Sequence, residues 1–190
     1  MSIRILLGRQ DPELIGDAGP NRLQPGPLGG YVYGLGGDDT FSIRDGVDAF
    51  FAGGSGNDSY TYANNAVTYI FESGNSSNDV FVDRFDLIFS ELSFIEIDDR
   101  HLVIVGSGSS SESTVVIFDW ELNSNRIERW QLGANNTVSF DEFRSAVLAS
   151  EDYLGSLTAD TAFGIQTANE FRRVFNQLTL NARDYEQGAA

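Results

Sequence analysis

Cysteine is absent from the 190-residue chain. Neither a disulfide framework nor a thiolate metal site is therefore open to it. The same absence suits a chain that leaves a cell unfolded, since no wrong disulfide can trap it. Histidine occurs once, at His101. No zinc cluster and no Ser-His-Asp relay can be assembled around a single imidazole, and we read His101 as ordinary surface or edge structure. Positive charge is scarce: 12 basic side chains stand against 28 acidic ones, for a formal net charge of −16. That balance excludes nucleic acid as a partner, because backbone binding needs a positive surface. Long hydrophobic runs are missing as well. Residues 3–7 (Ile-Arg-Ile-Leu-Leu) are apolar but too short for a secretory leader, and Asp11, Glu13 and Asp17 follow at once. No stretch is long enough to span a bilayer.

What the chain does have is glycine and aspartate in a fixed pattern. Gly53-Gly54-Ser55-Gly56-Asn57-Asp58-Ser59-Tyr60 follows G-G-x-G-x-D-x-U, with U a large apolar residue. The pattern is tied to calcium-binding parallel β-helices. Its glycines permit backbone conformations that a Cβ penalises and leave carbonyl oxygens facing a small cavity. Asp58 adds a carboxylate. Calcium takes about six to eight oxygens, more than one turn supplies, so stacked turns must share ions. Gly34-Leu35-Gly36-Gly37-Asp38-Asp39-Thr40-Phe41 is a second copy with Leu35 in a glycine slot. Gly16 to Leu23 is weaker, with Asn21 in the aspartate slot. Gly74 to Phe81 keeps Asp79 and Phe81 in register but has Ser77 where glycine belongs.

The acidic slot thus falls at positions 21, 39, 58 and 79, in steps of 18, 19 and 21 residues. Two half-circuits of about nine residues make one such step, so the four turns are expected to stack on one side. One ion site is expected between the Gly36 and Gly56 turns. A second is expected between the Gly19 and Gly36 turns, or on the opposite side beside Asp45 and Asp48.

The chain divides into four stretches: an N-terminal strand or cap over 1–13, the repeats over 14–82, a β-rich cap over 83–138 and a helical segment over 139–190. In the third stretch, 80–82, 85–89, 92–98, 101–105 and 114–120 read as strands, and 126–132 alternates. Gly106 to Ser113 reads as a flexible loop. Ser139-Phe140-Asp141-Glu142 is a capping box before a helix to about Ser150. A second box, Thr167 to Glu170, opens a helix to about Leu180, with Phe171, Val174, Phe175 and Leu178 as its apolar stripe. The last ten residues are expected to fray.

Residues 34–81 resemble the RTX, or haemolysin-type calcium-binding, repeats of secreted Gram-negative proteins. The run from Asp79-Val80-Phe81 through Leu102-Val103-Ile104, Val115 to Trp120 and Arg126 to Trp130 resembles the region that often follows them. The resemblance implies a mainly β fold: a short parallel β-roll capped by a β-rich segment and C-terminal helices. It implies calcium ions as the cofactor, export by a type I secretion apparatus with an uncleaved C-terminal signal, and an extracellular location. By position it maps the ion ligands to Gly34, Gly36, Asp39, Gly53, Gly54, Gly56 and Asp58, with Asp45, Asp48, Asp79 and Asn21 as further candidates. The expected role is a structural module that folds on extracellular calcium. Two alternatives stand beside it. One is a binding or adhesion module for a carbohydrate or protein partner, in which Trp120 and Trp130 could stack on a sugar. The other is the accessory domain of a polysaccharide-modifying enzyme, for which Asp98-Asp99 and Asp83 with Asp86 are the acid pairs to consider.

Overall fold

The computed structural model describes residues 13–74, 76–82, 89–108, 111–132 and 136–189. The expected strand at 3–7 and the pair Asp83 and Asp86 lie outside them. Among the described residues the fold is mixed α/β, with two sheets and three α-helices. From β1 to β8 the chain passes back and forth between the sheets. β1 (Glu13–Ile15), β3 (Gly30–Gly36), β5 (Ala49–Ser55) and β7 (Val67–Phe71) lie side by side in the first, all parallel. β2 (Arg22–Leu23), β4 (Thr40–Phe41), β6 (Ser59–Thr61) and β8 (Val80–Val82) do the same in the second.

Alternation along the strands decides what each face meets, because successive side chains point to opposite sides. Val32, Phe51 and Ile70 of the first sheet face Leu23, Phe41, Tyr60 and Phe81 of the second in one apolar core. Their neighbours Tyr31, Tyr33, Phe50, Tyr69 and Phe71 turn the other way into a second core. Like side chains stack on like from one strand to the next. Tyr31, Phe50, Tyr69 and Phe118 form a file with ring centroids 4.4, 4.8 and 5.8 Å apart.

After β8 the sequence departs from the sheets and returns. A 3-10 turn (Phe89–Glu91) leads into β9 (Leu92–Ile97), β10 (His101–Gly108) and β11 (Ser111–Phe118), an antiparallel meander. Asp98 and Asp99 make the β9–β10 turn, both with positive φ (54° and 51°), and Arg100 N–H donates to Ile97 O at 3.1 Å. Positive φ at both central residues is the type I′ geometry of a tight hairpin turn. The flexible loop expected over 106–113 is instead paired strand on both flanks: Gly106 faces Ser113 and Gly108 faces Ser111. β11 then lies parallel to β7, and β12 (Arg129–Gln131) parallel to β8. β13 (Thr137–Ser139) and β14 (Tyr153–Leu157) complete the sheets at their far edges.

The capping box at Ser139 forms with both of its hydrogen bonds and starts α1 (Phe140–Ala149). α2 (Ala159–Phe163) is capped by Thr158. α3 runs over Ile165–Ala189, starting before the expected box and ending well beyond Leu180. Its apolar stripe is buried on the outer face of the first sheet through Ala168, Phe171, Val174, Leu178 and Ala182. The end of α3 is helical because it is held: Tyr185 Oη donates to Glu13 at 2.6 Å, Ser73 Oγ donates to Glu186 at 2.7 Å, and Asn181 donates to Tyr33 Oη at 3.2 Å. Among the described residues no helix is long and apolar enough to cross a membrane.

Candidate metal centre

Where β3, β5 and β7 end and the chain turns toward the second sheet, the aspartate slots fall into a column. Each carboxylate accepts the backbone N–H of the slot one circuit earlier. Asn21 N–H donates to Asp39 Oδ1 at 2.7 Å, Asp39 N–H to Asp58 Oδ1 at 2.8 Å and Asp58 N–H to Asp79 Oδ1 at 2.8 Å. A fourth rung comes from far along the chain: Asp79 N–H donates to Glu128 Oε2 at 2.9 Å. Each bond fixes one carboxylate oxygen and aims the other inward. Asp39 Oδ2 and Asp58 Oδ2 are buried and have no hydrogen-bond partner. A buried, unpaired carboxylate oxygen costs free energy unless a cation or proton satisfies it.

Beside this column runs a second one of bare backbone. Gly16, Gly34 and Gly53 occupy equivalent places on successive strands, as the registers of β1, β3 and β5 require. A Cβ at Gly34 would collide with Asp39 Oδ2 and the carbonyl oxygen of Gly53. A Cβ at Gly53 would collide with Tyr60 Oη, Glu72 Oε1 and Asp58 Oδ2, the last at 2.5 Å. Oxygens therefore converge on the space these glycines leave.

The next place in the glycine column is Glu72, which is wholly buried. Its carboxylate accepts from Tyr60 Oη at 2.7 and 2.9 Å. Asp58, Glu72 and Asp79 each offer an oxygen within 4.8 Å of the others. Ser76 Oγ bonds to Asp79 at the edge of the group. This cluster has the composition and spacing to coordinate a divalent metal ion. Burial pushes the Asp58 carboxyl up to about 7 and those of Asp39 and Asp79 up to about 6. Burial, with the neighbouring Asp79 and Asp58 charges, raises Glu72 far above the carboxylate range. Three of these carboxyls, Asp58, Glu72 and Asp79, resist ionising in one dry place, a site that a cation would relieve.

The residues expected as ligands divide into three groups. Asp39, Asp58 and Asp79 stand in the column, with Gly34 and Gly53 against their oxygens. Gly36, Gly54 and Gly56 lie where turns stack on each other. At Gly54 and Gly56, φ is +97° and +136°, and a Cβ would strike the backbone of the turn beneath. Leu35 holds the second glycine's place with φ of +77°, at a cost of about 1–2 kcal/mol for a residue with a Cβ. Asn21 is in the column, but its amide is engaged with Asp17, accepting from Asp17 N–H at 2.8 Å. Asp45 and Asp48 are on the opposite side, where they accept from Asn64 N–H at 3.0 Å and Val67 N–H at 2.7 Å. The carboxyl cluster is thus one step further along than the expected Gly36–Gly56 position.

Sequence reasoning missed Glu72, Tyr60 Oη and Glu128. Glu72 was legible in principle: counted in the same period as the aspartates, it replaces the glycine of the next repeat. Tyr60 was assigned only an apolar role. Trp120 and Trp130 are each 1% exposed, with Trp120 Nε1 donating to Glu96 and Trp130 Nε1 to Ile127 O, both at 3.0 Å. Neither presents a face to a sugar. No protein-family model matches the chain and no curated protein matches it.

Proposed function

We propose that the repeat region is a calcium-binding β-roll of RTX type, and that the chain is a structural module of a secreted protein that folds on extracellular calcium. The observation that carries the reading is the pair of buried, unpartnered oxygens, Asp39 Oδ2 and Asp58 Oδ2, on a column of carboxylates one circuit apart. Calcium is the ion that suits them. It accepts carboxylate and carbonyl oxygens in flexible geometry, whereas magnesium demands a near-ideal octahedron and sheds water reluctantly. The ligands would be Asp39 beside the Gly34–Gly36 turn and, one circuit on, Asp58 beside the Gly53–Gly56 turn, each at its own position in the column. Inside a cell calcium is scarce and the acidic chain would stay open for a type I secretion apparatus. Outside, binding and folding would be coupled, as in structural metal domains. The adhesive reading loses its sugar-stacking tryptophans and its free helical stripe, since both are buried.

The test is a calcium titration followed by far-UV circular dichroism, with Asp39→Ala and Asp58→Ala alongside. The expected outcome is a cooperative gain of β signal at sub-millimolar to millimolar calcium, shifted to higher calcium in each variant. A chelated protein that already has the native spectrum, unmoved by either substitution, would refute the reading.

A further inference from the structure

The glycine column of the repeats ends in an acid, and that changes the kind of site found there. Gly16, Gly34 and Gly53 carry no side chain into the column, and the space at Gly34 meets one side-chain carboxylate, that of Asp39, and the carbonyl oxygen of Gly53. At the fourth circuit Glu72 fills the space instead. Three carboxylates then meet in a dry pocket, all buried. Asp58 Oδ2 is unpartnered and points into the group, converging with Glu72 Oε1 and Tyr60 Oη on Gly53. Tyr60, wholly buried, donates its phenol to Glu72 and fixes the carboxylate's orientation.

We propose that Asp58, Glu72 and Asp79 form a carboxylate-rich site distinct from the one at Asp39, which binds hard oxygen-seeking cations more tightly and fills first. The proposal rests on the calcium-binding reading of the repeats. Ligand charge count is what tunes affinity among oxygen-ligated calcium sites. Three anionic side chains at one position, against one at the other, therefore rank the two. The same surplus of negative charge favours trivalent lanthanides over calcium at this position. Tyr60 is a positioning residue and also the nearest chromophore, so it should sensitise terbium emission from an ion held there.

The experiment is calorimetric titration of the full chain with calcium, and terbium titration with tyrosine excitation, for the wild type, Glu72→Gln, Asp39→Asn and Tyr60→Phe. Circular dichroism in saturating calcium checks that each variant folds. The expected result for the wild type is two classes of site, the tighter by at least about tenfold. Glu72→Gln should weaken the tighter class by about tenfold or more and leave the weaker one. Asp39→Asn should do the reverse. Tyr60→Phe should cut terbium emission at least about twofold, and terbium should displace calcium from the tight class first. If Asp39→Asn abolishes binding while Glu72→Gln changes neither class, this proposal fails and the calcium reading stands. If Glu72→Gln raises thermal stability with the ion count unchanged, the cluster is a proton-sharing structural network and the proposal fails again. A wild type that binds no ion at all overturns both.

Discussion

His101 is the clearest case of a single side chain governed by its surroundings. It is 4% exposed, and its ring lies 4.9 Å from that of Phe175 and 5.2 Å from that of Phe118. Its Nδ1 accepts from Asp119 N–H at 3.1 Å, a bond that requires the neutral ring. Burial lowers its pKa to about 4, against a partial pull upward from Asp119. The stability this neutral ring confers is complete above the unfolded value of about 6.5 and is lost as pH falls toward about 4. At pH 5 the loss amounts to about 2 kcal/mol. Urea unfolding at pH 7.5 and 5.0 should therefore show a larger acid penalty for the wild type than for His101→Gln, by about that amount. Equal penalties would mean that the ring is solvated or charged in the native state. The residue reads from sequence as surface or edge structure and is instead buried, because the helix that covers it begins more than sixty positions later.

At the scale of elements, α3 carries the outer face of the first sheet. Leu178 is wholly buried there, among Phe171, Val174 and Ala182. Leu178→Ala should cost about 2–5 kcal/mol in chemical unfolding, whereas Leu180→Ala, at a side chain 57% exposed, should cost less than about 0.5 kcal/mol. A small loss at Leu178 would show that the helix is not docked. The apolar period made this stripe visible in the sequence, and the capping chemistry at Ser139 made α1 visible. The length of α3 was not, because its last turns are fixed by Glu13 and Ser73, which no local pattern connects to it. The same limit hid the partner of β12, whose alternation over 126–132 is visible in the sequence. Glu128, Arg129 and Trp130 sit beside Asp79, Val80 and Phe81, yet 49 residues separate Glu128 from Asp79, and no repeat period spans that gap. In the repeats themselves, the step of 18 to 21 residues gives the column directly, while the acid replacing a glycine at Glu72 and the phenol of Tyr60 that bonds to it do not follow from the motif.

Across the whole molecule the formal net charge is −16. Self-repulsion of this kind opposes the compact state. The ladder of backbone-to-carboxylate bonds has a further consequence, for how such a chain can change its length. Because each rung within the repeats is one circuit of 18, 19 or 21 residues from the next, segments can be lost or duplicated only in whole units. Excising residues 37–55 joins Gly36 to Gly56 and keeps the Gly34-to-aspartate spacing intact. It should yield a shorter folded protein that binds one fewer ion, by calorimetry and circular dichroism. Excising half as much would put every acidic slot under the opposite bend, and that product should not fold at any calcium concentration. Size in this architecture is quantised, with the returning strands at residues 111–118 and 129–131 closing whatever number of units precedes them.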